Sequence, residues 1–95
     1  MSAFVYMLRC SDDCYYVGST CKSLEERVAE HNAGALGGYT ASRRPIYLVW
    51  SQEFQHLTDA IAAERQVKGW SRAKKEALIR GDFDLIRRLA SRKRC

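Results

Sequence analysis

Phe4-Val5-Tyr6-Met7-Leu8 and Tyr15-Tyr16-Val17-Gly18-Ser19, separated by the polar Ser11-Asp12-Asp13, decide the fold. Each run is short, aromatic and β-branched, which is strand chemistry. A connection this brief makes an antiparallel hairpin, because parallel strands need a crossover of a dozen or more residues. Gly18 inside the second run marks a bulge or a close approach rather than a plain pleat. Further along, Ser23 with Glu26 three residues later forms a capping box. It predicts a helix from about Leu24 to about Asn32, ended by Gly34. Residues 33–45 read as an irregular, glycine-bearing loop closing at Pro45, and Ile46-Tyr47-Leu48-Val49-Trp50 as a third strand. Thr58 or Asp59 caps a second helix through about Val67, which Gly69-Trp70 breaks. Ser71 caps a third helix to about Arg80, and Gly81-Asp82 precedes a last one over about Phe83–Ala90. The order ββαβααα is that of a small α+β domain with a three-stranded antiparallel sheet flanked by helices.

The 95 residues suit one domain, with no room for a second core. A composition of 46% hydrophobic and 28% charged residues with a single proline excludes a disordered, collagen-like or low-complexity chain. No apolar run approaches the ~20 residues of a membrane span. Met1-Ser2-Ala3-Phe4-Val5-Tyr6 lacks the basic and apolar regions of a signal peptide, so the expected location is the cytoplasm. Net charge is +5, unevenly spread. Residues 1–59 carry five basic and seven acidic side chains, residues 60–95 eleven and four. The basic block includes Arg65, Lys68, Arg72, Lys74, Lys75, Arg80, Arg87, Arg88 and the tail Arg92-Lys93-Arg94. It suits a polyanion such as nucleic acid, or equally a solvated helix face. Cys10, Cys14, Cys21 and Cys95 lack paired C-x2-C spacing, and they read as reduced thiols in packing roles.

Spacing brings certain side chains together. Arg27 and His31 are i,i+4 on the first helix, beside a Leu24/Val28 stripe that faces the sheet. Tyr6 shares a strand face with Phe4 and Leu8, and Tyr16 shares one with Gly18. Glu64 and Lys68 are i,i+4, and Glu64 follows the apolar Ala60–Ala63. Singly, each has a structural reading: strand tyrosines in the core, Arg27 with Glu26 and Glu30 as a charged face, Glu64 in a surface pair with Lys68.

The ordered set resembles the GIY-YIG nuclease superfamily, and in particular its small stand-alone bacterial members. Tyr6, Tyr16-Val17-Gly18-Ser19-Thr20, Arg27 through His31-Asn32-Ala33-Gly34, Gly38-Tyr39-Thr40, Arg44-Pro45, and Glu64 through Lys68 followed by Ser71-Arg72-Ala73-Lys74-Lys75 carry the resemblance, over residues 3–80. The first triplet is Phe4-Val5-Tyr6 rather than Gly-Ile-Tyr. Ser19 stands where some relatives have lysine, and a late asparagine after Glu64 is missing. The resemblance implies hydrolysis of a phosphodiester bond in DNA by a metal-dependent endonuclease, selecting structure more than sequence. Tyr6, Tyr16, Arg27, His31 and Glu64 are then the catalytic set, with Glu64 as ligand to one Mg²⁺ or Mn²⁺. Tyr6 is the implied general base, its pKa lowered by Arg27, the metal and His31, or else a relay that hands its proton to His31. Arg27 grips the phosphate, Tyr16 positions water or phosphate, and Gly18 admits a close backbone approach. Ser19, Lys68, Arg72, Lys74 and Lys75 complete the substrate-binding surface, and the helices over about 71–95 track the nucleic-acid backbone. A single carboxylate suits one such ion, which keeps several waters and binds phosphate.

The implied partner is nucleic acid, DNA ahead of RNA, with no membrane and room for a separate targeting protein; the oligomeric state is not encoded legibly. Two other readings stand beside it: a non-catalytic nucleic-acid-binding module of the same fold, and a protein-interaction domain with an incidental basic face.

Overall fold

Strand β1 (Ala3–Arg9) turns back into β2 (Tyr15–Thr20) in the computed structural model, which describes residues 2–35 and 38–92. The turn closes through Asp13 N–H to Cys10 C=O, 3.0 Å, and Cys10 N–H to Cys14 C=O, 2.8 Å. Asp13 takes the left-handed conformation (φ 65°) that aspartate tolerates better than most side chains. Helix α1 (Leu24–Asn32) follows, with Ser23 Oγ accepting from Glu26 N–H as its N-cap. A one-turn helix α2 (Gly38–Ala41) leads into β3 (Tyr47–Phe54), and α3 (Leu57–Lys68), α4 (Arg72–Arg80) and α5 (Phe83–Arg92) follow.

The sheet is antiparallel with order β2-β1-β3, so β1 is central. Both of its faces are covered. Ala3, Val5 and Met7, with Val17 of β2, pack against Ala60 and Val67 of α3 and Leu78 of α4. Tyr6 and Leu8 point the other way, with Ile46, onto Leu24 and Val28 of α1. A strand buried on both faces reads as a continuous apolar run, as Ala3–Leu8 does. Among the described residues no helix is long and apolar enough to cross a membrane.

The fold matches the expected ββαβααα order, with α2 as a one-turn addition inside the loop 33–45. Three boundaries differ by more than one residue. β3 runs on to Phe54, because Ser51, Gln52 and Glu53 pair by backbone with Tyr6, Val5 and Phe4 at an edge where their side chains meet solvent. α3 begins at Leu57 rather than after Thr58 or Asp59. His56 C=O accepts from Asp59 and Ala60 N–H without a side-chain cap, and burial of Ala60 on the sheet holds this first turn. α5 extends to Arg92, and Lys93, Arg94 and Cys95 lie outside the described residues.

Met7 is wholly buried at the centre of this packing. Met7→Ala is expected to remove about 2–4 kcal/mol of stability, read as a lower urea midpoint at unchanged slope.

Candidate functional site

Tyr6 and Gly18 are direct cross-strand partners. A Cβ at position 18 would lie 2.6 Å from Tyr6 Oη and 2.7 Å from its Cζ, closer than real atoms approach. The missing side chain is therefore filled by the Tyr6 phenol. The close approach read for Gly18 has the Tyr6 phenol as its partner on this face. Tyr16, two residues away on the same strand face, lies with its ring centroid 6.4 Å from that of Tyr6.

α1 lays His31 across both phenols. Its ring stands edge-on to Tyr6 at 5.8 Å and to Tyr16 at 5.2 Å. Tyr6 Oη and His31 Nε2 are 3.0 Å apart, and His31 Nδ1 is 2.7 Å from Thr40 Oγ1. Tyr6, His31 and Thr40 are each only 2% exposed. One turn earlier, Arg27 donates from Nε and Nη2 to Thr20 Oγ1 at 3.2 and 3.1 Å. Its Nε also lies 3.7 Å from Glu30 Oε1, and Lys22 holds the other Glu30 oxygen at 2.8 Å.

Glu64 comes from the other side of the sheet. Ser19 alternates away from Tyr16 and Gly18 toward α3, and its Oγ donates to Glu64 Oε1 at 2.5 Å. Lys68 Nζ holds Oε2 at 2.9 Å. The Glu64 carboxylate thus sits beside edge strand β2, where its charge acts on Tyr6. The structure joins Tyr6, Tyr16 and His31 in direct contact, sets Arg27 against them through its field, and brings Glu64 into electrostatic range.

Electrostatics set the protonation states. Burial pushes the Tyr6 phenol above its ordinary range, with the Tyr16 phenol adding to it; Arg27 pulls it down, and the Glu64 and Glu30 carboxylates push it further up. Arg27 does lower it as expected, but burial outweighs the guanidinium in the protein alone, so the net shift is upward and Tyr6 is a neutral phenol. Burial and the Arg27 charge push His31 below its ordinary value, against Glu30, so it is the neutral base at pH 7. Burial would raise Glu64, but the hydrogen bonds from Ser19 and Lys68, with the charges of Lys68 and Arg65, hold it below the usual carboxylate value.

An ionised carboxylate with lone pairs to spare is a hard oxygen donor, suited to an ion that keeps most of its waters. Among the described residues no three His, Cys, Asp or Glu side chains cluster as a closed metal cage. This donor set fits Mg²⁺ or Mn²⁺ and not a structural zinc.

The basic residues divide. Lys68 is tied to Glu64 and half-exposed, and burial together with the Lys68 charge lowers the Lys75 pKa, placing these two cations near each other. Arg72 stacks 4.7 Å over Tyr15, donates to Asp13 C=O at 2.6 Å and pairs with Glu76, so it braces the hairpin. Lys74 is buried, its Nζ 4.4 Å over the Trp70 ring. Its ammonium is engaged by the indole face. Sequence reasoning left Thr20 and Thr40 without a role and read Glu30 only as part of a charged helix face. Strand parity with Tyr16 and Gly18 points to Thr20, whereas no spacing rule links Thr40 to His31, because their contact crosses a loop.

Gly18→Ala is expected to displace the Tyr6 phenol and break its bond to His31, read as loss of the Tyr6 hydroxyl proton coupling to His31 in NMR spectra. The buried neutral His31 also makes stability pH-dependent. Its folded pKa is depressed, so its contribution is complete above the unfolded value of about 6.5 and is lost as pH falls toward the folded one. The unfolding free energies of wild type and His31→Gln are expected to converge as pH drops from about 7 to about 5, by urea titration at each pH.

The profile of the GIY-YIG catalytic domain matches residues 2–77. A UPF0213 protein of Natronomonas pharaonis is 43% identical over 76 residues, 80% of this chain and 88% of that one. A UPF0213 protein of Staphylococcus haemolyticus is 38% identical over 76 residues, 80% of this chain and 92% of that one. The solution structure of a UPF0213 protein from Bacillus halodurans, 37% identical, superposes with a TM-score of 0.54 over 83% of each chain. That of a protein from E. faecalis, 34% identical, gives 0.59 over 90% of this chain and 88% of that one. With a cross-strand tyrosine pair, a helix arginine and histidine and a later glutamate set in this fold, the chain belongs to the GIY-YIG catalytic-domain family, whose membership points to nuclease activity.

Proposed function

We propose that the chain is a divalent-metal-dependent endonuclease hydrolysing phosphodiester bonds in DNA, one catalytic unit with weak sequence preference. The carrying observation is the 3.0 Å bond between a neutral Tyr6 phenol and a neutral His31. As water attacks phosphorus, its proton passes to Tyr6 Oη while the Tyr6 proton passes to His31 Nε2. Tyr6 thus remains a phenol and His31 ends as imidazolium, so the raised Tyr6 pKa does not block the transfer. Of the two proton-acceptor assignments left open by the sequence, this geometry favours His31 acting through Tyr6.

Arg27 spends only two donors on Thr20 and presents the rest of its planar fork to the phosphoryl oxygens. Tyr16 borders the His31 ring and holds water or phosphate against the pair. Mg²⁺ or Mn²⁺ on Glu64 would supply charge neutralisation at the phosphoryl and leaving oxygens. Ser19 orients the carboxylate, and Lys68 and Lys75 add positive charge along the nucleic-acid backbone. Such contacts carry no base information, which supports a preference for branched, flapped or single-stranded shapes over sequence.

The test is cleavage of labelled duplex, single-stranded, flapped and branched DNA and of RNA, with Mg²⁺, with Mn²⁺ and after chelation. Glu64→Ala is expected to abolish cutting while binding persists; metal-dependent turnover by this variant would remove Glu64 as ligand. Tyr6→Phe is expected to lower kcat by about 10²–10⁴-fold without unfolding the domain. Binding of the whole panel without cleavage by the wild type would establish a binding module instead.

A further inference from the structure

His31 presents each ring nitrogen to a hydroxyl: Nε2 to Tyr6 at 3.0 Å and Nδ1 to Thr40 at 2.7 Å. A neutral imidazole carries one N–H, so only one nitrogen donates and the other accepts. Two arrangements satisfy these distances. In one, Nδ1–H donates to Thr40 Oγ1 and Nε2 accepts from Tyr6. In the other, Thr40 donates to Nδ1 and Nε2–H donates to Tyr6, leaving the Tyr6 proton without that acceptor.

Two observations select the first. A phenol is a far stronger acid than an alkyl alcohol, so of the two hydroxyls Tyr6 is the better donor and Thr40 the better acceptor. The Tyr6 ring is also packed against Gly18, with His31 as its hydrogen-bond partner among the described residues.

We propose that Thr40 is the positioning residue of the proton relay: its Oγ1 accepts the His31 Nδ1–H and thereby fixes the tautomer whose free Nε2 receives the Tyr6 proton. The inference rests on the reading of Tyr6 and His31 as that relay. The Nδ1–H···Oγ1 bond is unchanged when Nε2 gains its proton, so no group has to reorganise as His31 becomes charged. Thr40 is held for this task. Its C=O accepts from Arg43 N–H at 3.0 Å, Arg43 C=O accepts from Ser11 N–H at 2.9 Å, and Asn32 clamps both backbone groups of Ile46. A hydroxyl on this anchored turn meets a buried ring without crossing solvent.

The experiment is long-range ¹H–¹⁵N correlation of the histidine rings in the full, metal-free chain. There are two histidines, and His56→Gln removes the other, exposed one from the spectrum. In the wild type, His31 Nδ1 is expected to resonate as protonated nitrogen and Nε2 as bare nitrogen. Thr40→Val, nearly isosteric, is expected to shift this pattern toward the Nε2–H form, and Thr40→Ser to restore it. On a cleaved DNA substrate, Thr40→Val is expected to lower kcat by about 10–100-fold with KM little changed, and Thr40→Ser to recover most of it. A wild-type His31 carrying its proton on Nε2 overturns the proposal, as does a Thr40→Val protein with the wild-type ring pattern. Thr40→Ala replaces Thr40→Val if the latter does not fold. The ring pattern is read without turnover, so failure of the wild type to cut any substrate counts against the nuclease reading while the spectrum still decides the role of Thr40.

Discussion

The contact between the Tyr6 phenol and the bare backbone of Gly18 is the constraint around which the site is arranged. β1 is the central strand and is buried on both faces, so its side chains have little freedom to relocate. A phenol placed there would normally point its hydroxyl at solvent. Here the neighbouring strand withdraws its side chain, the end of the ring fills the gap, and the hydroxyl turns inward to a histidine on the covering helix. Burial then fixes the protonation of both groups: the phenol keeps its proton, the imidazole stays neutral, and a donor faces an acceptor across one hydrogen bond.

A second pattern accompanies it. Three ionisable side chains of the proposed set are each steadied by an aliphatic hydroxyl from outside their own helix: His31 by Thr40, Arg27 by Thr20, Glu64 by Ser19. Hydroxyls accept or donate as required and bring no charge; the opposite charges come from Lys68 beside Glu64 and Glu30 beside Arg27. The contrast with Lys74 is instructive. Its ammonium lies on the Trp70 face, and a formal positive charge in the sequence becomes part of the packing.

Much of the architecture was legible because it follows local rules. Ser23 and Ser71 cap their helices as their spacing implies, Gly81 ends α4 in the left-handed conformation, and the alternation in β1 places Tyr6 with Leu8 on the α1 face. The outer half of β3 was not legible, since Ser51-Gln52-Glu53 resembles a loop until a partner strand supplies its hydrogen bonds. The start of α3 was hidden for a related reason: tertiary burial of Ala60 replaces a side-chain cap. In the site, helical spacing put Arg27 and His31 together and strand parity put Tyr16 with Gly18. What occupies the gap over Gly18, which way Lys74 turns and how Thr40 meets His31 depend on contacts between elements far apart in sequence, where periodicity carries no information.

The Asn32 clamp has a consequence for how this chain can change. Its amide donates to Ile46 C=O at 3.1 Å and accepts Ile46 N–H at 2.9 Å, closing residues 33–45 into a loop whose two ends are pinned side by side. Closing a longer loop between the same anchors costs little, about 0.6 kcal/mol for each doubling of length. The clamp therefore isolates the sheet and the tyrosine pair from the length of the segment it encloses. Residues inserted near the exposed Ser42, provided Thr40 still reaches His31, would lengthen that segment without entering the core.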